Sequence, residues 1–176
     1  MKNKILFAVT SIVLALFTSC SDNDSSRYSH YPASFSFNSS IHPYYIATNP
    51  GEFITITRSG ATAYKVEWAK GELTVQLSQQ DIMLGGPYYG LGGLIIGIPA
   101  AGDGNIIACD LACPHCERAE KKLTIIHSHG HAHCNKCGST FDLNSGGIPI
   151  EGPAQRTLWQ YRVFRSETNP IINITN

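Results

Sequence analysis

Two cysteine pairs constrain this chain more than anything else in it. Cys113-Pro114-His115-Cys116 and Cys134-Asn135-Lys136-Cys137 are each a C-x-x-C, and residues 117–133 lie between them. Two knuckles at this spacing bring four sulfurs to one point, and tetrahedral Zn takes four thiolates. A four-sulfur site leaves no ligand position open for catalysis, so its usual role is structural. The same sulfurs also suit disulfides in an oxidising compartment, with no metal at all. Either way, two loops must arrive side by side.

The flanking sequence is β-forming. Phe53-Ile54-Thr55-Ile56-Thr57 is rich in β-branched residues. Tyr64, Val66 and Trp68 alternate with Lys65 and Glu67, and Leu73, Val75 and Leu77 alternate with Glu72, Thr74 and Gln76. Period two with one polar face predicts half-buried antiparallel strands, with Lys70-Gly71 as a hairpin turn. Further strands are expected at 105–109, 123–126, 131–134, 139–143 and 156–165, with a turn at 144–147. No segment carries a helical stripe. Residues 85–104 hold eight of the sixteen glycines, yet no G-x-G-x-x-G opens a helix and no Gly-Lys-Ser/Thr follows. Tight β corners account for them better than a phosphate loop.

A second pattern overlies the cysteines. Cys113-Pro114-His115 is a C-x-H. Cys134 and Cys137 are spaced as C-x-x-H with the final His replaced. Gly138-Ser139-Thr140-Phe141-Asp142 and Gly152-Pro153-Ala154 follow. This resembles the Rieske domain family, whose C-x-H and C-x-x-H-G-[ST]-x-[FY]-[DN] loops hold a 2Fe-2S cluster under a Pro-containing loop. Gly90 to Ile95 and Asp110 to Pro114 are similar to a lipid-anchored, secreted branch of it. The resemblance spans about 90–165, and 40–165 more loosely.

It implies an all-β, antiparallel Rieske-like sandwich, with a cluster-binding subdomain at about 109–155 in a domain over 41–165. It implies ligands Cys113, His115, Cys134 and Cys137, with Cys116 replacing His115 if the metal is Zn. It places Ser139, Phe141 and Pro153 around the centre. A thiolate at Cys137 in place of imidazole, and a Phe141 without a hydroxyl, both point to a low reduction potential. Single-electron transfer to an envelope redox partner is the function it implies. The chain has no room for the second iron domain of an oxygenase, so it is not expected to be an enzyme alone. A non-redox binding module locked by Zn or disulfides is the alternative.

Lys2 and Lys4 precede an apolar run from Ile5 to Phe17, then Thr18-Ser19-Cys20. This reads as a signal peptide over 1–19, with Cys20 as the lipidated first residue of a membrane-anchored envelope lipoprotein. The outer membrane, with exposure at the cell surface, is the expected address. No twin arginine is present, and general export moves unfolded chains. A preassembled cluster would not survive that route, whereas Zn or disulfides form afterwards. Residues 20–40, with eight serines after position 20, read as a solvated tether, and 166–176 as a tail. The remaining 157 residues, 20–176, make a domain that folds without staples. Zero formal charge gives no case for nucleic acid.

Two further features stand apart. Cys109 reads as a small buried hydrophobe. His127, His129, His131 and His133 alternate through a hairpin turning near Gly130, which suggests either a polar tip or a weak divalent-metal site.

Overall fold

The structure, a computed structural model, describes residues 27–166 and 168–176. The signal peptide expected at 1–19, the lipidation at Cys20 and the first residues of the tether lie outside that range.

Thirteen strands dominate: β1 (Ala33–Asn38), β2 (Phe53–Ser59), β3 (Ala63–Trp68), β4 (Gly71–Gln76), β5 (Tyr88–Tyr89), β6 (Leu94–Gly97), β7 (Ile107–Asp110), β8 (Thr124–Ile126), β9 (His131–His133), β10 (Thr140–Asp142), β11 (Ile148–Glu151), β12 (Gln160–Arg165) and β13 (Ile171–Thr175). Among the described residues one short α-helix, α1 (Gln79–Met83), starts at a capping box made by Ser78 and Asp81. Nine strands form an antiparallel sheet ordered β4-β3-β2-β6-β7-β12-β13-β1-β5, and the rest form a small sheet ordered β11-β10-β9-β8. The fold is all-β, as the alternation predicted. Among the described residues no helix is long and apolar enough to cross a membrane.

The large sheet closes over a core of its own. Phe35 and Phe37 of β1 and Ile172 and Ile174 of β13 share one apolar cluster with Ile54 and Ile56 of β2 and Leu94 and Ile96 of β6. The ring of Phe35 meets that of Tyr64 on β3 at 5.3 Å, so strands far apart in the sheet order face one another. Period-two alternation sends the next residues the other way. Phe53, Ile95 and Cys109 point out of the opposite face and pack with Leu111, Leu123, Phe141, Leu143 and Leu158 of the small subdomain. Strands β2, β6 and β7 are thus buried on both faces, which explains their near-continuous apolar sequence. Phe53 and Ile95 are fully buried. Each contributes roughly 1.5–3 kcal/mol to holding subdomain and sheet together.

Two boundaries need correction. Residues 33–38, assigned to the tether, form β1, whose register runs from Ser34 opposite Thr175 to Asn38 opposite Ile171. Residues 171–175, assigned to the tail, form β13. The domain therefore begins before 41 and continues past 165. Ala33, Phe35 and Phe37 face inward while Ser34 and Ser36 face out, so two of the serines that suggested a tether are the wet face of a strand.

Candidate metal centre

The first knuckle grows from the end of β7. Buried Asp110 accepts from the backbone N–H groups of Leu91 (2.7 Å), Gly92 (3.0 Å) and Ala112 (2.7 Å), and from the hydroxyl of Tyr161 (2.6 Å). Desolvation pushes its carboxyl above the usual range, against the lowering effect of the Tyr161 and backbone bonds. This carboxylate ties the glycine-rich loop to the root of the knuckle. A Cβ on Gly92 would lie 2.6 Å from the Ala112 nitrogen, so only glycine permits that approach.

Both knuckles turn in the same way. Cys116 and Glu117 donate their N–H groups to the Cys113 carbonyl at 3.1 and 3.0 Å, and Gly138 donates to the Cys134 carbonyl at 2.9 Å. The residue after each second cysteine is left-handed, Glu117 at φ 49° and Gly138 at φ 75°. Those turns carry the four thiols to one point, with all four sulfurs within 4.8 Å of one another. Cys113 Sγ lies 3.7 Å from Cys137 Sγ, and Cys116 Sγ lies 3.8 Å from Cys134 Sγ. Four sulfurs bound at about 2.3 Å around one tetrahedral ion stand about 3.8 Å apart along the tetrahedron's edges. Both the separations and the soft donor set fit a metal ion.

Cys113 and Cys134 are buried and Cys116 and Cys137 are half-buried, so one edge of the group reaches solvent. Burial pushes the Cys113 thiol well above its ordinary value, and pushes Cys116 up to about 11. Desolvation acts the same way on Cys137. There, hydrogen bonding with the Ser139 side chain and backbone, and then with Cys134 and Cys113, outweighs it and holds that thiol at about 6. One sulfur is thus a ready thiolate at neutral pH, while two hold their protons until a metal displaces them.

The four sulfurs that meet are those of the two C-x-x-C pairs, not the Cys113, His115, Cys134 and Cys137 set that the resemblance implied. Cys116 joins the group and His115 does not: His115 is exposed. The i,i+3 geometry of the turn aims positions 113 and 116 inward and position 115 out. Ser139 Oγ accepts from the Cys137 thiol at 3.2 Å and from the Ala154 N–H at 3.1 Å. That bond draws the loop carrying Pro153 against the second knuckle. Gly152 completes the contact, since a Cβ there would lie 2.6 Å from the Ser139 Cα. Pro153 lines a hollow with Pro114 and His115 of the first knuckle. Phe141 is fully buried in the subdomain core. Cys109 is fully buried in the same core and stands outside the four-sulfur group. The Asp110–Tyr161 pair was missed by sequence reasoning; Gly152 was named only as part of the Gly152-Pro153-Ala154 run.

The histidines do not gather. The turn after β8 closes through Ile126, so His127 faces the cleft between β8 and the β2–β3 face, beside Lys65 and Glu67. His129 and His131 are neighbours, with ring centroids 5.7 Å apart. His133 pairs its Nδ1 with the Thr140 hydroxyl at 3.0 Å. Among the described residues, the four cysteines are the only group of three or more potential ligands around one point. The four histidines do not meet at one point among the described residues.

No protein-family model matches the chain, and neither does any curated protein sequence. Among solved structures, it is similar to the plasma membrane Rieske protein PetC3 from the cyanobacterium Synechocystis PCC 6803. Identity is 22%, over 56% of this chain and 94% of that one, with a TM-score of 0.38. At that level of likeness, function has to be read from the four sulfurs and their surroundings.

Proposed function

We propose that this protein is a metal-locked β module. Cys113, Cys116, Cys134 and Cys137 hold one Zn ion, and the rigid tip so formed serves as a binding surface rather than as a site of chemistry. The spacing of the sulfurs carries this reading. All four lie within 4.8 Å, with edges of 3.7 and 3.8 Å, which suits a single ion. A 2Fe-2S cluster instead sets two ligand pairs apart by the separation of its irons. With four thiolates on the ion, no open position is left for substrate or water. A lipid on Cys20 would present the module on the envelope surface, and Zn enters readily after export.

The second reading is a Rieske-like 2Fe-2S centre passing single electrons. It is favoured by the Ser139 hydroxyl beside Cys137 and by the Pro153 loop against the first knuckle. Four cysteines are also a known ligand set for such a cluster. Elemental analysis and a visible spectrum of protein purified from the envelope separate the two. The proposal expects a colourless protein with one Zn per chain. A brown protein with two irons and two sulfides per chain would transfer the assignment to the cluster. The anchor is tested separately: Cys20→Ala should move the protein from the membrane fraction to the soluble one, and a variant that stays membrane-bound removes that part of the proposal.

A further inference from the structure

All four sulfurs lie within 4.8 Å of one another, and two of the pairs are in thiol–thiol hydrogen-bonding contact. Each joins one knuckle to the other, 113 to 137 and 116 to 134, and together they use every sulfur once. The pairs are concentric in sequence, the inner one nested within the outer. Closing either to a disulfide of about 2.05 Å shortens a sulfur–sulfur contact that already exists. The edge of the group is accessible: Cys116 and Cys137 line a shallow hollow with His115, Arg118, Lys121 and Lys136. Cationic neighbours of this kind keep a thiolate reactive. The fifth described thiol, Cys109, is fully buried and does not compete.

We infer that the four thiols form a two-way lock, in which a peroxide oxidant converts the metal-bearing tip into one held by two nested disulfides, Cys113–Cys137 and Cys116–Cys134. The pairing rests on the sulfur placement alone; only the release of an ion rests on the Zn reading. At each pair, the exposed-edge sulfur, Cys137 or Cys116, once its proton has gone to solvent or been displaced by the metal, attacks hydrogen peroxide, breaking the O–O bond and forming a sulfenic acid and water. Its cross-knuckle partner then attacks that sulfur and expels the second oxygen as water. Each disulfide costs two electrons, taken by one peroxide. The two peroxides, four thiolates and four solvent protons yield two disulfides and four waters, with release of one divalent ion.

Peroxide treatment of the full chain, followed by thiol blocking and mass spectrometry, tests the pairing. Cleavage at Lys136 separates Cys134 from Cys137, and fragmentation distinguishes Cys113 from Cys116. The expected result is loss of four thiols, the two cross-knuckle bridges, and Cys109 blocked only after denaturation. Zn-loaded protein should release one ion, read by a chromogenic chelator, in step with thiol loss. In the Cys113→Ser, Cys137→Ser variant the Cys116–Cys134 bridge should still form. In Cys113→Ser, Cys134→Ser, which keeps neither contact pair, no bridge should form. Bridges within a knuckle, a Cys116–Cys137 bridge in that last variant, or direct oxidation to sulfinic acid would overturn the inference. If the protein as purified holds no Zn but the nested bridges appear, the Zn reading fails and the pairing stands.

Discussion

The hydroxyl of Tyr161 on β12 donates to the carboxylate of Asp110 at 2.6 Å, directly beneath the first cysteine knuckle. Fifty-one residues separate the two, and their bond fixes the end of β7 from which the knuckle springs.

Removing that donor should weaken the whole tip. Tyr161→Phe is expected to cost about 1.5–3 kcal/mol, the range for a hydrogen bond to a charged group. Burial already holds the Asp110 carboxyl above its ordinary range, so its ionised form is the costly one. Loss of the Tyr161 donor raises it further. A raised carboxyl contributes stability below its unfolded value that is lost as pH rises through the folded one. The deficit of the variant should therefore be full at neutral pH and shrink as pH falls toward 4. Urea unfolding of both proteins across that range checks it; a pH-independent deficit would assign the loss to packing.

Metal binding should release protons. Cys113 and Cys116 are held above their ordinary values and carry protons near pH 7.5, whereas Cys137, at about 6, does not. Calorimetric Zn titrations of apo-protein in buffers of different ionisation enthalpy should give at least two protons released per ion. Release of fewer than one would mean that the free site is already ionised.

Ser139 couples the sulfurs to the covering loop. Ser139→Ala removes the hydrogen bond to Cys137 and leaves the buried Ala154 N–H without its acceptor. Metal affinity should fall about 10- to 100-fold, in line with loss of other supporting partners of metal ligands. The titration of Cys137, followed by the pH dependence of its alkylation, should move upward from about 6. Unchanged alkylation would show that the hydroxyl does not reach the thiolate.

Truncation tests the corrected boundary. A chain starting at residue 41 lacks β1, which pairs with both β13 and β5. It also loses Phe35 and Phe37 from the core. Deleting either ring costs about 3–5 kcal/mol in a packed core. The shortened chain should fail to unfold cooperatively, whereas one starting at residue 27 should do so normally.

What could be read beforehand divides along physical lines. Alternation in Tyr64–Trp68 and Leu73–Leu77 is local, so β3 and β4 were visible in the sequence. The C-x-x-C turns are local too, and their i,i+3 geometry makes the meeting of four sulfurs legible. The share of Cys116 against His115 is set by which way the turn aims each side chain, and a motif does not state that. β1 was obscured because its outward serines match a linker's composition. β13 was obscured because Ile171–Thr175 becomes a strand only through pairing with β1 and β12. The hairpin turn near Gly130 was legible for the same local reason, and His127 and His133 end on different neighbours, the β2–β3 cleft and Thr140.

X-ray absorption at the metal edge of the loaded protein tests the central claim most directly. A single ion held by Cys113, Cys116, Cys134 and Cys137 predicts one shell of four sulfurs at about 2.3 Å and no metal neighbour. A second metal in the scattering, or a nitrogen shell contributed by His115, would contradict it.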